Sequence, residues 1–131
     1  MSKIIAQVSN VQNVDNLNVV TFDCQNTTLK MISLDLSDNV KIGKNILLRV
    51  KPTSVAIGKN IQGELSYSNQ LNVKIISLKV GKLLCSLQLQ FHDFLIESII
   101  TVDSQKRMNL QLNDEVLALI KSSDLSIGEV L

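Results

Sequence analysis

The chain has 131 residues, 13 of them basic and 12 acidic, for a formal charge of +1. That balance creates no broad field to draw the protein toward nucleic acid or anionic lipid, so any anion it takes must sit in a local pocket. Apolar residues make up 45% of the chain but aromatics only 3%, which predicts an aliphatic, strand-rich core and excludes the stacking platforms of a single-stranded nucleic-acid binder.

Met1-Ser2-Lys3 leads straight into a strand pattern over residues 4–9. No apolar run is long enough to span a bilayer, so no membrane role is expected and the cytoplasm is the expected compartment. Residues 10–16 are polar and read as a connection. Residues 17–24 and 28–32 read as a hairpin around Gln25-Asn26-Thr27. Residues 33–39 occupy the place of a short helix, 42–45 form a turn, and 46–50 are a strand. Residues 58–67 read as a junction.

The second half is clearer. Residues 73–80 form a strand ended by Gly81-Lys82. From 83 to 91 the chain alternates, with Leu83, Cys85, Leu87, Leu89 and Phe91 on one face, the period of a half-buried strand. His92-Asp93 turns into a strand over 94–101. Asp103 or Ser104 is expected to cap a short helix running to about Leu110. Residues 112–115 turn, 116–120 form a strand, and 125–127 a last short one. Cys24 and Cys85 fall in strand-like runs at unlike places and read as buried free thiols.

The chain repeats itself. Leu47-Leu48-Arg49-Val50-Lys51 through Ile57-Gly58 matches Leu117-Ala118-Leu119-Ile120-Lys121 through Ile127-Gly128. Lys51 to Lys121 and Gly58 to Gly128 are both offsets of 70 (121 − 51 and 128 − 58). Lys3-Ile4-Ile5-Ala6 matches Lys74-Ile75-Ile76-Ser77 at an offset of 71 (74 − 3). Such a period suits two copies of one small β unit, placed at residues 1–62 and 63–131. The expected fold is all-β: tandem five-stranded OB-like barrels, each with a short helix or helical turn, closed so that no strand edge is exposed.

Each copy sets a lone lysine and small hydroxylated residues just after an apolar strand. In the second copy three pieces fall at strand ends: Ser66 to Gln70, Thr101 to Ser104, and Lys121-Ser122. They offer hydroxyls, an amide, an ammonium and the start of a helix. A set of donors poor in acceptors suits a tetrahedral dianion that carries no proton, and disfavours protonated phosphate, whose O–H needs an acceptor. No acid–base pair, nucleophile set, glycine-rich phosphate loop or metal-ligand cluster is legible, so no enzymatic activity is expected.

Ser66-Tyr67-Ser68-Asn69-Gln70-Leu71, Lys74-Ile75-Ile76-Ser77, Asn113-Asp114-Glu115-Val116 and Leu119-Ile120-Lys121-Ser122-Ser123-Asp124-Leu125 resemble the Mop domain of the molybdate-binding TOBE family. The first copy looks like a diverged second Mop unit, so the whole chain resembles a tandem molbindin. The resemblance implies molybdate or tungstate held by backbone amides, hydroxyls and basic side chains where barrels or subunits meet. It implies a homo-oligomer and no catalysis. Carried over by motif, the implied ligands are Ser66, Ser68, Thr101, Ser104, Lys121 and Ser122, with Ser33, Lys51 and Thr53 as first-copy counterparts. Where the family often places Arg before Asn-Gln this chain has Ser68, a loss of about 1.5–3 kcal/mol if a charge-assisted bond is missing. The implied function is intracellular oxyanion storage or homeostasis. The alternative is an oxyanion-sensing module acting on a separate transporter ATPase or transcription regulator.

Overall fold

The computed structural model describes residues 2–131. Two curled five-stranded sheets form an all-β fold with a single α-helix among the described residues. In chain order the first half runs β1 (Ser2–Val14), β2 (Leu17–Cys24), β3 (Thr27–Leu34), β4 (Asn45–Val50), a 3₁₀ turn (Pro52–Ser54) and β5 (Ala56–Gly58). The second runs β6 (Asn69–Val80), β7 (Leu84–Phe91), β8 (Phe94–Thr101), α1 (Val102–Arg107), β9 (Glu115–Ile120) and β10 (Ser126–Val130).

Strict alternation builds the strands. In β1 Ile4, Ala6 and Val8 point inward, and in β7 Cys85, Leu87, Leu89 and Phe91 do so. Leu83, expected on the buried face of β7, precedes the strand and is 80% exposed. Gln25 and Asn26 both take positive φ (46° and 69°), the requirement of a tight two-residue hairpin loop. The polar run 10–14 is strand rather than loop: β1 pairs with β2 as far as Val14↔Leu17, and its polar side chains lie beyond the buried part of the ladder.

The two halves match strand by strand. Ser2 pairs with Val50 as Asn69 pairs with Ile120, and Gln7 with Asp23 as Lys74 with Gln90. Bulges fall at equivalent places, between Val8 and Asn10 and between Ile75 and Ser77. The offset is therefore 67 over the first three strands (69 − 2) and 70 over the fourth (120 − 50). The 71 suggested by Lys3-Ile4-Ile5 was off by four residues. A shift by an even number keeps every side chain on its face, so alternation alone cannot detect it. The three residues gained lie between Thr101 and Asn113, against Leu34 to Gly43 in the first half (12 − 9 steps), and they give the second half its helix. The first half has turns where a helix was expected at 33–39.

The fifth strands cross over. The first sheet has the order β10-β4-β1-β2-β3 and the second β5-β9-β6-β7-β8. Ala56 pairs with Leu119 as Ser126 pairs with Arg49. Each half, 1–62 or 63–131, thus supplies four strands to one sheet and one to the other. This explains the repeated Ile-Gly. A Cβ at Gly128 would lie 2.5 Å from Nε of Arg49, and one at Gly58 2.9 Å from Cγ1 of Ile61 and 3.2 Å from Cδ1 of Leu119, so a side chain at either place would displace the packed side chains beside the crossing strand.

The all-β, curled character expected is present; the end strands of each sheet, β3 and β10, and β5 and β8, do not pair with each other in a ladder. The opposite half covers part of them. Asn69, fully buried at the start of β6, accepts from the Lys30 N–H on β3 (2.7 Å) and donates to the Lys30 carbonyl (2.9 Å). Its amide imitates one residue of a neighbouring strand. Ser2, its equivalent, accepts from the Glu97 N–H on β8 (2.8 Å), and buried Ser98 donates to the Val55 carbonyl (2.6 Å). One aliphatic core runs through both sheets, from Phe22 and Leu48 to Leu71, Leu89 and Ile120.

Candidate functional site

The crossing strands set the site. Each is reached by a connector, residues 51–55 or 121–125, that must pass from its own sheet to the edge of the other. Each connector therefore runs beside a foreign edge strand, β8 or β3. A cleft of 310 Å³ lies at the first crossing, lined by Thr53 and Ser54, by Ile99 and Ile100 of β8, and by Tyr67, Lys121 and Asp124. A groove of 750 Å³ lies at the second, between residues 31–40 and 123–130.

The two crossings are not equivalent in hydrogen bonding. At the second, the Ile32 N–H donates to the Ser122 carbonyl (2.9 Å). The equivalent residue at the first, Ile99, makes no matching bond among the described residues. Ile99 lines the smaller cleft together with Lys121, Thr53 and Ser54. The electrostatics differ too. The smaller cleft is lined by one cation, Lys121, and one carboxylate, Asp124. The larger groove is lined by Asp35 and Glu129 and by no cation. Of the two spaces, only the one at the first crossing has a cation in its lining.

The sequence-predicted residues separate on this frame. Lys121 enters the smaller cleft. Lys51, its equivalent, is exposed at the head of the other connector and lines neither space. Ser66 and Ser68 are exposed in the loop before β6 and flank Tyr67, whose carbonyl is fixed by the Gln70 side chain (2.9 Å). Ser68 stands one step beyond the last ladder pair, Asn69↔Ile120, and so opposite Lys121. Ser122 is half-buried, its carbonyl already engaged with Ile32. Thr101 directly follows Ile100, but its hydroxyl caps α1, accepting from the Ser104 N–H (3.1 Å) and donating to the Ser104 hydroxyl (3.0 Å). The expected cap at Asp103 or Ser104 is thus Thr101. Arg107 also donates to the Ser104 hydroxyl (3.2 Å), so this pair serves the helix first. Ser33 lines the acidic groove instead and is equivalent to Ile100 rather than to Thr101, since Leu17 pairs with Leu34 as Leu84 pairs with Thr101.

Sequence reasoning missed Asp124 and the Ile99 N–H. The expectation of a site poor in acceptors needs correction, because the Asp124 carboxylate shares the cleft. The first connector has Ser54 at the same place (124 − 70), and that comparison was a signal for it. The cleft, at 310 Å³, holds more than one small ion. A single tetrahedral oxyanion fills only part of this and leaves room for ordered water or a second donor group. The chemistry available is reversible ion pairing and hydrogen bonding. No group of three or more His, Cys, Asp or Glu side chains able to hold a metal ion occurs among the described residues. No helix there is long and apolar enough to cross a membrane.

Comparison with known proteins agrees with this architecture. No curated protein matches the chain. Among solved structures, a molybdate-bound crystal form of the cytoplasmic molybdate-binding protein ModG superposes with a TM-score of 0.86. The match covers 96% of this chain and 94% of that one at 18% sequence identity, a likeness of fold. Residues 65–127, from the loop before β6 into the crossing strand β10, match the TOBE domain family.

Proposed function

We propose that this protein reversibly binds a proton-free tetrahedral oxyanion, molybdate or tungstate, and serves cytoplasmic storage or homeostasis of that ion as a homo-oligomer of tandem Mop-like units. The observation that carries the reading is the cleft at the first crossing, lined by Lys121, Thr53, Ser54 and Ile99 together with Asp124. The fold shared with a molybdate-binding protein supports it, as does the TOBE match across Lys121. Ser66, Ser68 and Ser122, chain neighbours of the lining residues Tyr67 and Lys121, add donors directly or through water. Lys51 and Ser33 lie apart, Ser33 on the acidic groove and Lys51 outside both spaces, so one site per chain is proposed. Asp124 repels the guest and holds the affinity below that of an all-donor cleft.

Ligand that binds only the folded form raises stability by RT ln(1 + [L]/Kd). The melting temperature should rise in molybdate or tungstate and rise less in equimolar sulfate. Lys121→Ala should weaken binding by roughly ten- to a hundredfold, the worth of a charge-assisted hydrogen bond. Asp124→Ser, which copies Ser54, should tighten it. Identical melting curves in all three anions would remove the proposal.

A further inference from the structure

The first half lacks the helix of its sibling: Val40, at the place of Leu110 (110 − 70), is buried and Leu36 packs against the core, but a groove is left beside them. In the second half Val102 and Leu110 are buried under the end of the sheet, and Met108 packs against the core. Lys59 fastens this segment by donating to the carbonyls of Met108 (3.1 Å) and Asn109 (3.0 Å). In the first half the segment between Leu34 and Gly43 is three steps shorter and has no helix. A groove of 750 Å³ remains there between the edges of β3 and β10. Leu34 and Leu36 form one wall and Ile127 and Val130 the other, and Leu34 is 65% exposed. The charged residues that line the groove are Asp35 and Glu129. Glu129 holds the place that Lys59 holds in the other half (129 − 70). Where the second half presents an ammonium to its own helix end, the first presents a carboxylate.

Apolar walls among serines and Asn39, with Asp35 and Glu129 as the charged lining residues, select a cationic amphipathic partner. We infer that the groove between β3 and β10 docks a short basic amphipathic helix of a partner protein, set like α1 in the second half, with its Lys or Arg side chains against Asp35 and Glu129. This surface is separate from the Lys121 cleft and does not depend on what that cleft binds.

The chain's own helical segment supplies the probe. A synthetic peptide of residues 101–112 carries Val102, Met108 and Leu110 with Lys106 and Arg107. Titrated into the full-length, isotopically labelled protein, it should shift amide resonances of residues 31–40 and 123–130, with saturation by about 1 mM, because a short peptide must order on binding. Leu34→Glu and Glu129→Lys, both at exposed positions, should each weaken the interaction by about tenfold. A peptide with Lys106→Glu and Arg107→Glu should not bind. Shifts confined to α1 would mean displacement of the native helix and would overturn the inference, as would no shift near 1 mM. A concentration-dependent doubling of mass abolished by Leu34→Glu would assign the groove to a second copy instead, and would also overturn it.

Discussion

Asn69 is the most exacting test of the way the two halves are joined. Its side chain is fully buried and makes two hydrogen bonds, at 2.7 and 2.9 Å, to the backbone of Lys30 on the other sheet. Asn69→Ala removes both and strands a donor and an acceptor on the edge of β3. A buried group left unsatisfied costs about 1–3 kcal/mol. Lys30 is exposed and the two bonds are part-buried, so the lower end applies, about 1–1.5 kcal/mol for each bond and about 2–3 kcal/mol in total. Asn69→Asp keeps the acceptor for the Lys30 N–H but sets a carboxylate oxygen against the Lys30 carbonyl. It should cost at least as much at neutral pH and recover in part under acid, where the protonated group donates again. Urea unfolding measures this: the midpoint should fall with the slope unchanged. A loss below about 0.5 kcal/mol for Asn69→Ala, the range of a neutral surface change, would refute the view that this amide carries the contact between the halves.

Three other expectations are open to direct measurement. The Asp114 carboxyl is held below the ordinary carboxylate range, first by the Gln111 N–H (3.0 Å) and then by Lys59 (3.3 Å). A folded-state pKa below the unfolded value stabilises the fold at neutral pH, and that gain disappears as pH falls through the folded value. The wild type should therefore lose melting temperature below about pH 4, while Asp114→Asn starts lower and shows a flatter acid limb; superimposable pH profiles would exclude the effect. Cys24 and Cys85 are buried free thiols with pKa raised by desolvation, so both should be silent to a thiol reagent at neutral pH and react together in urea, and prompt modification of the native protein would contradict their burial. Calorimetric titration with molybdate should give one site per chain rather than two, because only the first crossing places a cation in its cleft; two equal sites would show that the acidic groove also takes the anion.

The sequence by itself determined the class of fold, most strand positions and the existence of a repeat. All of these follow from alternation and from matched Lys and Gly positions, which are local properties. It also marked Lys121 as the cation of interest. It did not determine the register of the repeat, since a four-residue slip leaves every face unchanged. Nor did it reveal that β5 and β10 change sheets, because strand pairing is a choice between partners of like hydrophobicity distant in the chain, and that choice is made by tertiary packing. The site followed the pairing. Only the crossing brings Thr53 and Ser54 of one half to Lys121 of the other, and only the folded chain shows Ile32 bonded to the passing connector while Ile99 has no matching bond. Ser33 and Lys51 looked alike in sequence to functional residues, yet one lies on an acidic wall and the other lines neither space, a difference of surroundings that composition cannot carry.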